Sequence, residues 1–177
     1  MVKKMYKNFW DGENWLKELK QKNKTKYFLN GKLHRRYGPA EIWYNEDGLI
    51  DTEAYYLNDK LHRDDGPSVI KYYSNGRISM EEYYINGKIH RENKPSRVLY
   101  DNSIDNLIKI QTYFIFNKRH RKEGPAIIWH NKNNSKVYYY YFNGIEIDIE
   151  KLSFKFLIDT KEKELYMILK YGDINVN

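Results

Sequence analysis

The chain has 177 residues, a formal charge of +7, 41% hydrophobic and 31% charged residues, the proportions of one polar domain. It lacks cysteine, which excludes a disulfide framework, a thiolate zinc site and a cysteine nucleophile, and fits an intracellular, cytoplasmic chain. Its longest apolar run, Val137 to Phe142, is too short for a membrane helix or a signal-peptide core, so no membrane insertion is expected.

Residues 1–26 hold eight of the lysines against Asp11, Glu13 and Glu18 and carry most of the basic excess. Asp11 near the start, with Trp15, Leu16 and Leu19 on one side, predicts a short amphipathic helix over 11–22. That reading makes 1–26 a basic helical cap on one end of whatever follows. Its lysine-rich far side accounts for the charge without a ligand.

Residues 27–149 are repetitive. His-Arg recurs at His34-Arg35, His62-Arg63, His90-Arg91 and His120-Arg121, and the four prolines, Pro39, Pro67, Pro95 and Pro125, keep the same period of about 28 residues. A ring-ring-apolar-Asn-Gly phrase recurs as Tyr27-Phe28-Leu29-Asn30-Gly31 and Tyr83-Tyr84-Ile85-Asn86-Gly87, with variants from Tyr55, Tyr113 and Tyr140. The residues after the Asn position, Gly31, Asp59, Gly87, Asn117 and Gly144, are types that tolerate φ > 0, so a tight hairpin turn is expected there. After each proline comes a small residue and an alternating run, as in Ala40-Glu41-Ile42-Trp43-Tyr44 and Ser68-Val69-Ile70-Lys71-Tyr72. One side of these runs is constant and predicts the buried face of a strand. The unit reads as two strands and a short His-Arg link, giving four repeats and a final half repeat. The stretch from Asp101 to Lys109 reads as a widened loop in the third copy.

Residues 150–177 read as a second cap. Leu152, Phe154, Phe156 and Ile158 alternate as in a strand, and Asp159-Thr160-Lys161-Glu162 opens a helical pattern ending before Gly172, although Leu165, Met167, Leu169 and Tyr171 also alternate and leave a strand open for 160–171. The whole predicts a mainly β fold: an elongated single antiparallel meander of stacked hairpin repeats with short α-helical caps.

The phrase Tyr-Tyr-x-Asn-Gly-Lys-x-His-Arg-x-x-Gly-Pro-Ala resembles the MORN-repeat-variant family, which includes YwqK-type antitoxins and tandem arrays of phages and giant viruses. The resemblance covers about residues 27–149. It implies stacked β-hairpins used as a binding scaffold, and a viral, phage or bacterial source. The unit is longer and poorer in glycine than an ordinary MORN repeat, which counts against lipid binding.

Two sets of residues are candidates for function. The ladder of His34, Arg35, His62, Arg63, His90, Arg91, His120 and Arg121 either binds an anionic polymer or an acidic protein edge, or locks each turn to its neighbour, with Glu53, Glu81, Asp64, Asp65, Glu92 and Glu123 as ready partners. On the variable face of the strands, Trp43, Lys71, Leu99 and Trp129 occupy equivalent places, with Tyr73 nearby. They are either interface anchors or buried by a curled sheet or the caps. No metal cluster, cofactor motif, nucleophile elbow or phosphate loop is evident, and repetition itself suits an extended surface better than one asymmetric catalytic constellation. The reading is a non-enzymatic protein that binds and inhibits a toxin, host or defence protein in the cytoplasm, the host's if the chain is viral. Its rivals are a nucleic-acid or nucleotide binder using Lys, Arg and tyrosine stacking, and a structural scaffold of a virus particle.

Overall fold

The computed structural model describes residues 6–148, apart from 104 and 106. Strands account for all the regular structure among the described residues. The fold is mainly β: one 13-stranded antiparallel sheet whose strand order follows the chain, joined by three separate two-stranded hairpins. At about 4.8 Å per strand the sheet extends roughly 50 Å.

The first difference from expectation is at the N terminus. Strands β1 (Tyr6–Trp10) and β2 (Trp15–Gln21) form a hairpin where a helix was expected over 11–22. Asp11 closes its turn: Oδ1 accepts the backbone N–H groups of Glu13 and Asn14 at 3.0 and 2.8 Å, and Gly12 takes φ 101°. The helical spacing has a physical origin. β2 is covered on both faces, Leu16 and Glu18 on one and Leu19 on the other, so buried residues fall three apart without a helix. Pairing with β3 (Lys24–Leu29) overrides the helix propensity of a segment rich in Leu, Lys and Glu. The described part of the basic segment, residues 6–26, thus supplies the first hairpin of the sheet and the start of β3. The cap expected over 150–177 lies outside the described residues.

The repeat also has a finer anatomy than two strands and a link. β4 (Lys32–Leu33) pairs with the end of β3. Then β5 (Glu41–Tyr44) and β6 (Ile50–Ala54) enter the main sheet, and β7 (Tyr56–Leu57) and β8 (Lys60–Leu61) form a short hairpin. The next repeat supplies β9 (Val69–Tyr72) and β10 (Ile78–Glu82), with hairpin β11 (Tyr84–Ile85) and β12 (Lys88–Ile89). The third supplies β13 (Arg97–Tyr100) and β14 (Ile108–Thr112), with hairpin β15 (Phe114–Ile115) and β16 (Lys118–Arg119). β17 (Ile127–His130), β18 (Lys136–Phe142) and β19 (Ile145–Ile147) complete the described chain.

The Tyr-Tyr phrase therefore splits in the three central repeats: its first ring follows a main strand, and its second opens a short hairpin. Each such turn uses two successive left-handed residues, φ 51° and 66° at Asn58 and Asp59 and 50° and 80° at Asn86 and Gly87, as a two-residue hairpin requires. The short hairpins bond to one another, Gly87 N–H to the Leu61 carbonyl at 2.8 Å and Asn117 N–H to that of Ile89 at 3.0 Å, so a second ladder runs beside the sheet. The third copy's loop is wider, as expected. Its closing bond from Asp101 N–H to the Leu107 carbonyl, 2.9 Å, matches that from Asn45 to Leu49, with two more residues between.

Register assigns every main-strand residue to a face. The constant face carries a transverse row, Thr25, Ile42, Glu53, Ile70, Glu81, Val98, Gln111 and Ile128. The Tyr72 and Tyr100 hydroxyls donate to Glu53 and Glu81 at 2.8 and 2.9 Å, and His130 Nε2 lies 3.2 Å from Gln111 Oε1 where other repeats place a tyrosine. Burial, then the hydrogen bond to the carboxylate, raises both phenols well above the usual range. The same causes, with Glu18 as the acceptor, push Tyr27 up to about 12. The small residues Ala40, Ser68, Ser96 and Ala126 have no exposed surface.

Candidate binding surface

The two candidate sets have different surroundings. Each ladder arginine lies over the first ring of its repeat: Arg35 over Tyr27 at 4.3 Å, Arg63 over Tyr55 at 4.1 Å, Arg91 over Tyr83 at 3.7 Å and Arg121 over Tyr113 at 4.1 Å. In all four, Nη1 donates to the carbonyl of the proline four residues on, at 3.4 Å. In the first two repeats the glycine before that proline, Gly38 or Gly66, makes room, whereas Lys94 stands there in the third. A Cβ on Gly38 would stand 2.9 Å from Cζ of Arg35. Glu53 and Glu81, the expected partners, instead accept the tyrosine hydroxyls, while Arg63 pairs with Asp65 at 2.7 Å.

The histidines join successive repeats. Nδ1 of His34, His62 and His120 accepts the backbone N–H of Asn58, Asn86 and Asn143, at 3.3, 3.2 and 3.2 Å. His90 departs from the pattern: Phe116 stands in the asparagine's place, and its ring lies against the imidazole. The two rings stack at 4.1 Å, and the buried Nδ1 of His90 has no hydrogen-bond partner among the described residues. Successive His-Arg turns enclose open clefts of about 590 and 540 Å³. Their walls carry both charge signs, Arg63 and Arg91 with Asp64, Asp65 and Glu92 in the first. Every ladder arginine, and three of the four histidines, thus makes a hydrogen bond within the molecule.

Burial lowers the His120 pKa below the ordinary histidine value of 6.5, and burial with Lys136 lowers that of His130. Groups with depressed basic pKa values bind protons more readily in the unfolded chain, so stability falls as the pH drops below about 6.5. Thermal midpoints measured between pH 7.5 and 5 are expected to decline, and a His120→Gln, His130→Gln double variant to show a shallower decline.

The variable-face residues form a row. Lys24 stands opposite Trp43, and the register continues through Thr52, Lys71, Met80, Leu99, Ile110 and Trp129 to Val137. Trp43, Lys71, Leu99 and Trp129 thus lie on one line, at every second strand. Trp129 and Val137 are 44% and 40% exposed and Lys71 is exposed, while Trp43, Met80, Leu99 and Ile110 are half-buried. Tyr73 is half-buried and its hydroxyl donates to the Tyr100 carbonyl at 2.8 Å, so it serves the framework. The same face carries Trp10 and Trp15, which pair across the first hairpin at 5.4 Å and are 48% and 68% exposed. All four tryptophans of the chain accordingly share one face.

The adjoining row on that face is less open. Glu41, Ala54, Val69, Glu82 and Thr112 are buried there. Glu41 is paired with Lys26 at 2.7 Å, Glu82 with Arg97, and the Tyr84 hydroxyl also donates to Glu82. Arg97 lies 5.5 Å from the Phe114 ring. Rings and charges near the short hairpins thus border the tryptophan row and neutralise its neighbouring carboxylates. The row itself carries Lys24 and Lys71 and no acid, with Lys17 on the same face.

Sequence reasoning missed Trp10, Trp15, Thr52, Met80, Ile110 and Val137. Trp15 was hidden by the helical reading of 11–22, which also concealed its partner Trp10 just before it, and the others by the lack of a register between the two strands of each repeat. Opposing the returning strand to the first at each turn would have exposed them. Among the described residues, no cluster of three His, Asp or Glu is placed to hold a metal ion, and no helix is long and apolar enough to cross a membrane. No protein-family model and no curated protein matches the chain.

Proposed function

We propose that the protein is a non-enzymatic repeat scaffold that binds a partner protein through the tryptophan-bearing face. The observation that supports this is the gathering of all four tryptophans on one sheet face, three of them more than two-fifths exposed. Tryptophan is enriched among the few residues that dominate binding energy at interfaces. The resemblance to YwqK-type antitoxins extends the reading to neutralisation of that partner, a toxin, host or defence factor in the cytoplasm. The upward-shifted tyrosines stay protonated near neutral pH, which suits framework donors better than catalytic bases.

A photoreactive side chain at position 99 is expected to cross-link one protein in lysate of the native host cell, and the same group at position 74, in the β9–β10 turn, none. Trp129→Ala is expected to weaken the captured complex by about 30-fold, roughly 2 kcal/mol, while leaving the thermal midpoint nearly unchanged. Equal labelling from both positions, or none from 99, overturns the proposal. Nucleic acid captured from 99 would favour the second reading, which the lysines and tryptophans of the first hairpin support.

A further inference from the structure

We infer that the tryptophan row seats an acidic, amphipathic α-helix of the partner, lying across the strands. This rests on the protein-binding reading and adds the chemistry of the occupant. The row's spacing supplies one argument. Its anchors Trp43, Lys71, Leu99 and Trp129 repeat every second strand, about 10 Å apart. Seven residues of an α-helix rise about 10.5 Å. Between the anchors the apolar surface continues strand by strand through Met80, Leu99, Ile110, Trp129 and Val137. A helical seam of a and d residues offers a layer about every 5.3 Å, close to one for each strand. An extended segment places same-side residues about 6.7 Å apart and falls out of step.

Charge supplies the second argument. Lys17, Lys24 and Lys71 share the face, and the nearby Glu41 and Glu82 are already held by Lys26 and Arg97. An occupant with carboxylates beside its apolar seam is therefore favoured, and a second copy of this face would meet like charges. The chemistry of the central row counts against nucleic acid as well. From Thr52 to Ile110 it offers no ring on which successive bases could stack.

The test uses the full chain and a fluorescently labelled peptide of about 21 residues, three heptads with Leu at a and d and Glu elsewhere. Fluorescence anisotropy is expected to show at least tenfold tighter binding than for a shuffled peptide of the same composition, or for one broken by two prolines. Lys71→Glu is expected to weaken binding about tenfold, Leu99→Asp to abolish it, and Leu107→Asp, in the exposed third-copy loop, to leave it unchanged. Circular dichroism confirms that each variant is folded. Equal binding of the shuffled or broken peptide overturns the inference, as does absence of peptide binding. Self-association, or binding of a thymidine 20-mer, that Leu99→Asp removes also overturns it. The two readings fail separately. A protein cross-linked at position 99 through a segment lacking acidic heptads refutes the helix and leaves protein binding standing, whereas a cross-link from 99 into residues 149–177 of the same chain refutes both.

Discussion

Replacing Arg35, Arg63, Arg91 and Arg121 together by glutamine is expected to unfold the array rather than silence a ligand site. Each guanidinium stands about 4 Å from a tyrosine ring and donates to a proline carbonyl in the same turn. A partly desolvated cation over a ring contributes about 1 kcal/mol and a hydrogen bond from a charged donor a similar amount, so each repeat loses roughly 2 kcal/mol. Glutamine is shorter and uncharged, so it replaces neither contact. Four such losses total about 8 kcal/mol, comparable to the whole stability of a typical domain. Arg63→Gln alone is expected to leave a folded protein with its unfolding free energy lowered by about 2 kcal/mol. Arg63→Lys should recover little of this, because an ammonium lacks the planar fork. Denaturant titration followed by circular dichroism measures all three. A quadruple variant with a near-native midpoint would overturn the framework role and return the ladder to the candidates for binding.

The repeat could be read from the sequence because its strongest marks, the four prolines, the His-Arg pairs and the left-handed turn residues, are local requirements of the backbone. A turn with two successive positive φ values admits few residue types, so Asn-Gly and Asn-Asp announce it. Two kinds of information were not local. β2 has partners on both sides and covered residues on both faces, so its burial pattern is not the simple alternation of a half-exposed strand, and Leu16 and Leu19 mimic a helix. The division of the Tyr-Tyr phrase between sheet and hairpin likewise depends on what each ring meets. Tyr83 meets Arg91, while Tyr84 meets Glu82 across the other face. Of the surface, the sequence showed one residue per repeat, Trp43, Lys71, Leu99 and Trp129. Met80 and Ile110 joined them only once the register was known, since a shift by one residue would have turned them to the opposite face. The ladder illustrates the reverse case. Its residues were conspicuous in the sequence, yet their conspicuousness reflects a turn that every repeat must build.

Ser68→Leu is expected to be the most damaging single substitution in the central repeats. Ser68 has no exposed surface, and its hydroxyl donates to the Tyr84 carbonyl at 3.1 Å while accepting the Tyr84 N–H at 3.0 Å. Here the main sheet hands over to the short hairpin, and the side chain supplies hydrogen bonds that a strand neighbour would otherwise make. Ser96 does the same for Phe114, at 2.9 and 3.0 Å. Leucine adds volume where none is free, at about 2 kcal/mol, and leaves the Tyr84 backbone groups without this partner, at about 2 more. Ser68→Ala bears only the second cost, and Ala40 and Ala126 at the equivalent positions show that the space accepts a methyl group. A loss of about 4 kcal/mol for leucine and at most 2 for alanine is therefore expected in denaturant titration. Each repeat contacts mainly its neighbours, so the damage should begin locally. Hydrogen exchange should accelerate first in β9 to β12, while β1 to β3 keep their protection. Uniform loss along the whole sheet would show instead that the array unfolds as one cooperative unit, and that the handover at Ser68 is no weaker than any other joint.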